Sequence, residues 1–335
     1  MLARKAEEGK PIDIKHYISL YSLDCILKTH LLFTSNELVT NNFDFMNKID
    51  ICMDDIMGTT LRPTRWIKCI FDRTQEGIAV KKHSYDIRGP LREIIQWHKK
   101  MGTIVSEQEE NKSYVDILVK VGKYFNMDLD GLSHLGTDFI IAGTDTTSVI
   151  LSGCLFCLAS YPEYQEEVYK EQVEIMGNSL DAPSKSQLAE MHYLDRVINE
   201  ALRIWAPIGI HRLAEEDIKL DDKYTIPKGT AIDISLYMMN RNSKYYEKPF
   251  DFYPDHFLPD KIAARPKSSF CVFSTGVRGC PGKYYGLLSM KMTVSRVIRR
   301  FRLSTKTHFL NLEYVHKLML EPLDGFIIEL EKRKS

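Results

Sequence analysis

The sequence predicts a mainly helical fold with one small region of β-sheet. Apolar residues recur at three- and four-residue intervals through the first two thirds of the chain, the period of an amphipathic helix. Near residue 230 the period drops to two, as in a half-buried strand, and after residue 281 the helical period returns. A chain of 335 residues makes one large domain or two ordinary ones. Its 44% hydrophobic and 27% charged content is normal for a folded body with a sizeable core. We read it as a single domain: a helical body over 1–206, a strand and irregular region over 207–279, and a glycine-rich loop with its following helix over 273–301.

The elements follow in order. Residues 1–11 are charged and hold no apolar stretch of the signal-peptide type. Ile18, Leu20, Tyr21 and residues 23–27 form a compact apolar stretch of helical type, and Val115, Ile117, Leu118, Val121 and Phe125 make another helix face. Residues 72–88 are polar and predict a loop-rich segment. Residues 140–159 are apolar enough to resemble a membrane span, but they carry Asp145, and a lone carboxylate at mid-bilayer is costly. A buried core helix is the better reading. Residues 184–206 predict one continuous helix, with Ser184 and Gln187 as a capping box and Pro207 as its stop. Thr230, Ile232, Ile234 and Leu236 then alternate after the turn Pro227-Lys228-Gly229, and Ile218 and Leu220 precede Asp221-Asp222. A proline- and aromatic-rich stretch over 249–280 is irregular. Leu287, Met290, Val294, Val297, Ile298 and Phe301 form the apolar face of the last helix, and Arg299 and Arg300 oppose its negative end.

Charge and cysteine usage narrow the function classes. The chain has 45 basic and 45 acidic side chains, so no global field draws nucleic acid, and none is expected as a partner. Seven cysteines spread over a long chain fit a reducing compartment better than a disulfide framework. Cys154-x-x-Cys157 lies in an apolar helical stretch without a second pair, a poor setting for zinc or thiol redox chemistry. Cys25, Cys52, Cys69 and Cys271 are expected in the core.

Four segments carry chemistry. Residues 273–282 read Phe-Ser-Thr-Gly-Val-Arg-Gly-Cys-Pro-Gly, just before a helix. Glycines let a backbone approach a flat ligand, and a cysteine ahead of a helix N-terminus is favoured as the metal-ligating thiolate. A glycine-rich turn with a buried cysteine is the bland reading. Ala142-Gly143-Thr144-Asp145-Thr146-Thr147 predicts a notch in its helix, with the Thr146 hydroxyl bonded back to the carbonyl at 142. A hydroxyl and a carboxylate there suit proton delivery to a bound oxygen species; a small-residue helix crossing is the alternative. Glu200 and Arg203 share a helix face and can pair, as many solvated pairs do. Pro254-Asp255-His256-Phe257 completes the set.

Phe273, Gly276, Arg278, Cys280 and Gly282 resemble, residue for residue, the haem-binding loop of the cytochrome P-450 superfamily. The order of the other three segments resembles that family too, and residues 161–169 and 224–230 are similar to its insect and fatty-acid-hydroxylating (family four) side. The resemblance implies a cytochrome P-450 fold lacking its N-terminal third. It implies haem b with Cys280 as the iron ligand and Arg278 and Arg212 facing propionates. Ala142, Gly143, Asp145 and Thr146 then belong to the oxygen-binding helix, with Asp145 and Thr146 supporting oxygen activation. Many family-four members bond haem covalently through a glutamate where Ala142 stands, so haem is expected here without that ester. Glu200 and Arg203 become a buried structural pair. His256 stands where an arginine is frequent, which raises a question about the pairing around them. His211, beside Arg212, is expected to be a packing or strand residue.

The implied activity is a monooxygenase that takes electrons from NADPH through a flavoprotein reductase and inserts one atom of dioxygen into a lipophilic substrate. Lys283 and Lys291 are candidates for the reductase-docking face; an ordinary solvated surface is the other reading. The expected location of the full-length protein is the cytosolic face of the endoplasmic reticulum membrane, with the anchor absent from this chain. The Trp-x-x-x-Arg that binds propionates in many relatives is missing, because Ile70, Met101 and Gly209 stand four residues after Trp66, Trp97 and Trp205. A truncated, non-catalytic remnant that does not hold haem productively is therefore the alternative function.

Overall fold

The computed structural model describes residues 1–33, 42–102, 104, 110 and 113–333. The chain forms two compact units, one of Met1–Ile14 with Val149–Ser335, the other of Lys15–Ser148. Helix α1 (Leu2–Glu8) and strand β1 (Ile12–Asp13) open the first of them.

The unit Lys15–Ser148 is helical. It contains α2 (Ile14–Thr29), α3 (Asn42–Leu61), α4 (Lys68–Phe71), α5 (Gln75–Asp86), α6 (Gly89–Met101), α7 (Tyr114–Tyr124) and the first part of α8 (Leu129–Ser160). Ile18, Leu23, Ile26 and Leu27 of α2 are buried, as their spacing predicts. On α6, Leu91, Ile94, Ile95 and His98 form the inner face. Gly102 ends that helix at φ +63°, a conformation that only glycine adopts without strain. Helix α7 begins on a capping box in which Ser113 and Asp116 satisfy each other's backbone N–H. Val115 and Leu118 are buried on it, but Ile117 and Phe125 are exposed.

Residues 72–88 depart from expectation, since most of them form α5. The Thr74 hydroxyl accepts the Gly77 N–H at 3.0 Å and caps the helix, and Gly77 lies too close to the Phe71 carbonyl to carry a side chain. The polarity of this stretch marks the solvated face of a helix, not a loop.

In the unit of Met1–Ile14 with Val149–Ser335, the second part of α8 is followed by α9 (Pro162–Met176), α10 (Lys185–Glu190) and α11 (His192–Trp205). Strands β2 (Gly209–Leu213), β3 (Ile218–Lys219), β4 (Thr225–Ile226) and β5 (Ala231–Ser235) come next, then short α12 (Leu236–Met239) and α13 (Pro259–Ala263). Helix α14 (Lys283–Arg300) precedes β6 (Phe301–Ser304), β7 (Tyr314–His316), β8 (Leu320–Pro322) and β9 (Ile327–Lys332). All pairings are antiparallel: β2 with β5, β3 with β4, β7 with β8, and a sheet in the order β1-β9-β6. Chain ends meet there, with Ile12 opposite Ile328.

The Ser184–Gln187 capping box is present, but the expected single helix over 184–206 is two. Met191 leaves helical geometry at ψ 73°, and the Glu171 carboxylate accepts the Tyr193 and Leu194 N–H groups at 2.5 and 3.0 Å. A side chain from α9 thus restarts the helix, a long-range contact that local periodicity does not encode.

Ile150, Leu151, Leu155 and Leu158 are buried on the second part of α8, in keeping with a core helix. Gly153 lets this helix approach Trp205, which is fully buried against Phe309 and Phe326. A Cβ at 153 would lie 2.5 Å from the indole. Gly153→Ala is expected to destabilise by about 1–3 kcal/mol, because a rigid buried ring cannot yield. Gly286→Ala, whose new methyl meets only Met290 Cε at 3.6 Å, should be neutral or mildly stabilising. Thermal unfolding of both variants checks this, and equal melting temperatures would contradict the α8–Trp205 contact.

Candidate functional site

The loop over 273–282 is closed by its own backbone. The Cys280 N–H donates to the Phe273 carbonyl at 2.8 Å, Ser274 N–H to Cys271 at 2.8 Å, and Gly279 N–H to Gly276 at 2.9 Å. Gly276 turns the chain at φ +67°, where an added Cβ would meet nothing within 4 Å. The space over the loop is therefore open, and Val277 at its tip is wholly exposed. Cys280 is exposed and stands two residues ahead of Gly282, the N-cap of α14.

Two cations flank the loop. Arg212 reaches across from β2 and donates to Ser274 Oγ at 2.8 Å and to the His211 carbonyl at 2.8 Å. Arg278 is exposed on the loop itself. Among the described residues neither guanidinium has a carboxylate partner, so both remain free for an anionic ligand. His211 points outward on β2, 3.5 Å from Asp233 and well exposed, which makes it a strand residue and not a packed one. Lys283 lies over the Phe273 ring at 5.9 Å. Lys291 differs from expectation: its side chain is 11% exposed and paired with Asp195 at 2.7 Å, which removes it from any docking face.

The segment over 142–147 belongs to the unit Lys15–Ser148. Thr146 Oγ1 donates to the Ala142 carbonyl at 2.6 Å, the back-bond its position predicts. Ala142 is exposed, Gly143 and Thr146 are half-buried, and Asp145 is buried. Gly143 gives room to the Ile26 side chain.

Glu200 and Arg203 are both fully buried and joined by two parallel hydrogen bonds of 2.8 and 2.7 Å. Arg203 spends its other N–H groups on the carbonyls of Asn240, Pro249 and Asp251, at 2.8, 2.7 and 2.7 Å. All five donors are thus used. Glu200 also accepts the Tyr253 N–H at 2.8 Å. His256 Nε2 accepts the Lys248 N–H at 3.3 Å, so its proton sits on Nδ1 and is directed at the Glu200 carboxylate, 3.2 Å away. Burial alone would raise the Glu200 pKa, but the Arg203 charge, its hydrogen bonds and His256 outweigh burial and hold it below the ordinary 4.5. Histidine at 256 therefore completes the pairing around Glu200 without an arginine.

Cys154 and Cys157 are buried thiols, and burial pushes Cys154 up to about 12 and Cys157 well above its ordinary value. Among the described residues no cluster of histidine, cysteine or carboxylate could hold a metal. Of the cysteines expected in the core, Cys52 is buried, Cys25 and Cys271 are half-buried, and Cys69 is exposed beside the polar α5.

The sequence profile described as cytochrome P450 matches residues 1–327. The chain belongs to the cytochrome P450 family. It is 32% identical over 321 residues to cytochrome P450 4c21 of Blattella germanica, covering 91% of this chain and 64% of that protein. It is 29% identical to probable cytochrome P450 313a4 of Drosophila melanogaster, covering 80% of this chain and 56% of that protein. Cytochrome P450 3A16 of Mus musculus is 26% identical over the whole chain, which covers 68% of it. The chain therefore spans less than two thirds of the length of these two insect relatives.

Membership of the cytochrome P450 family implies haem iron, and the residues present fit it. A thiol is the soft ligand that haem iron accepts, and it is exposed on a loop with open space above a glycine. Two uncompensated guanidiniums match the two propionates of the ring. The part of Ser274, which holds Arg212, carries no local signal in the sequence, because the partners are 62 residues apart.

Proposed function

We propose that this chain is the catalytic part of a haem-thiolate monooxygenase that inserts one oxygen atom of dioxygen into a lipophilic substrate. The observation that carries this is the exposed Cys280 thiol ahead of the α14 N-terminus, beside two guanidiniums free of carboxylates. Cys280 Sγ is the iron ligand, and Arg212 and Arg278 pair with the propionates. Bound haem supplies oxygen binding and O–O cleavage, aided by electron density from the thiolate. Thr146 Oγ1, back-bonded to the Ala142 carbonyl, and the Asp145 carboxyl would hold and move the protons that this chemistry consumes. Electrons come from NADPH through a flavoprotein reductase, and the full-length protein works at the cytosolic face of the endoplasmic reticulum membrane. Turnover under isotopically labelled dioxygen tests the reaction. One labelled atom per product is the expected result, and label absent from product would overturn it.

Ala142 offers no carboxyl for an ester to haem. Acidified organic solvent is expected to extract all the haem from denatured protein, and pigment retained on the polypeptide would contradict this.

A further inference from the structure

The unit of Met1–Ile14 with Val149–Ser335 contains a cavity of about 250 Å³ between α1, the ends of α9 and α14, and β9. Val173, Leu180 and Phe301 give it an apolar wall. Its charged lining is Arg299, Arg300, Lys332 and Arg333, and among the described residues no carboxylate joins them.

Two of the four cations are compensated. Lys332 pairs with Glu7 at 2.5 Å, and Arg333 pairs with Glu166 at 3.2 Å while it stacks on Tyr169. Among the described residues neither Arg299 nor Arg300 has a carboxylate within ion-pair distance. Arg299 is 4% exposed and spends three N–H groups on the carbonyls of Ser295, Ser179 and Asp181. One N–H on each of its terminal nitrogens is left over. Arg300 is half-buried and bonds only carbonyls, that of Leu180 at 2.5 Å and that of Arg296 at 3.5 Å. Burial, then Arg300 and Arg296, lower the Arg299 pKa, and Asp181 raises it by less. A cation kept from water beside like charges gains most from an anion supplied from outside.

Helix capping does not account for this pair. A helix C-terminus attracts cations, but the Ile298 carbonyl of the last turn is taken by Arg333 at 3.0 Å, and the Val297 carbonyl by the Phe301 N–H. The shortest bonds of Arg299 and Arg300 go instead to three consecutive carbonyls of the loop after α9, those of residues 179–181. Nor does the cavity belong to the loop over 273–282. Arg299 lies about 24 Å along α14 from Lys283, at the end far from Cys280.

We propose that this cavity binds a small phosphate monoester, with the phosphoryl group held by Arg299 and Arg300 and the organic part against Val173, Leu180 and Phe301. Guanidiniums pair with phosphate through two parallel hydrogen bonds. A phosphate monoester carries close to two negative charges at neutral pH, which matches the two uncompensated cations.

Calorimetric titration of the full chain with phenyl phosphate, phenyl sulfate and inorganic phosphate tests the proposal. Phenyl phosphate is expected to bind tightest, because the sulfate ester carries a single charge and inorganic phosphate lacks the apolar group. Arg300→Gln should weaken phenyl phosphate about tenfold, and Arg300→Lys should weaken it less. Arg278→Gln, at the other cation pair, should leave its affinity unchanged. No binding of phenyl phosphate to wild type, or phenyl sulfate binding as tightly, overturns the proposal without any variant. Equal affinity in wild type and Arg300→Gln overturns it too, as does a loss confined to Arg278→Gln, which places the anion at the loop over 273–282. Sedimentation with phosphatidylcholine vesicles, with and without phosphatidic acid, separates the sources of the phosphoryl group. Arg300-dependent binding to the phosphatidic acid vesicles, displaced by phenyl phosphate, assigns a lipid headgroup. Phenyl phosphate binding without vesicle binding assigns a soluble ester.

Discussion

Arg203→Met is expected to yield no stably folded protein at room temperature. The guanidinium is fully buried and each of its five N–H groups has a partner: two on Glu200 and three on backbone carbonyls. Removing it strands the Glu200 carboxylate away from water, which costs about 3–5 kcal/mol. The carbonyls of Asn240, Pro249 and Asp251 lose their donors as well, at about 1–3 kcal/mol each where water cannot enter. Together these losses rival a typical folding free energy of about 5–15 kcal/mol. Soluble yield and a cooperative denaturant transition are the measurements. A variant that unfolds cooperatively within about 1 kcal/mol of wild type would contradict the network.

The same network sets a pH dependence. Glu200 has a folded pKa below its ordinary 4.5, so its contribution to stability is fully present above that value and disappears as pH falls through the folded one. Glu200→Gln should be less stable near neutral pH and should lose less on acidification. Parallel acid limbs in the two proteins would place the acid sensitivity elsewhere.

The second large effect is expected at Thr146. Thr146→Ala should lower product formed per electron consumed by about 10²-fold, the lower end of what a positioned proton donor supplies. Electrons would then leave as reduced oxygen species, while the rate of NADPH oxidation changes far less. Thr146→Ser keeps a hydroxyl within reach of the Ala142 carbonyl and should restore most of the coupling. Product and peroxide measured against NADPH separate this from a folding defect, which would lower all three together. Unchanged coupling in Thr146→Ala would exclude the hydroxyl from proton delivery.

The parts legible in the sequence share one property: their causes are local. The loop over 273–282 carries its glycines, its cysteine and its following helix within one window. The Thr146 back-bond needs only a four-residue spacing. The Glu200–Arg203 pair was legible as a spacing, but its burial became an expectation only through family resemblance. What was not legible depends on distant partners. Helix α11 restarts at His192 because Glu171 on another helix caps it. Lys291 loses its free charge to Asp195, 96 positions earlier in the chain. Residues 72–88 form a helix against expectation for another reason: their polarity is that of a solvated helix face, and the Thr74 cap is the local signal for it.

The central claim is that Cys280 is the thiolate under haem iron, and the carbon-monoxide difference spectrum of the reduced protein tests it most directly. Wild type is expected to show the red-shifted Soret band of thiolate-ligated haem, and Cys280→His the shorter-wavelength band of imidazole ligation. No haem uptake by wild type, or the same band in wild type and Cys280→His, would contradict it.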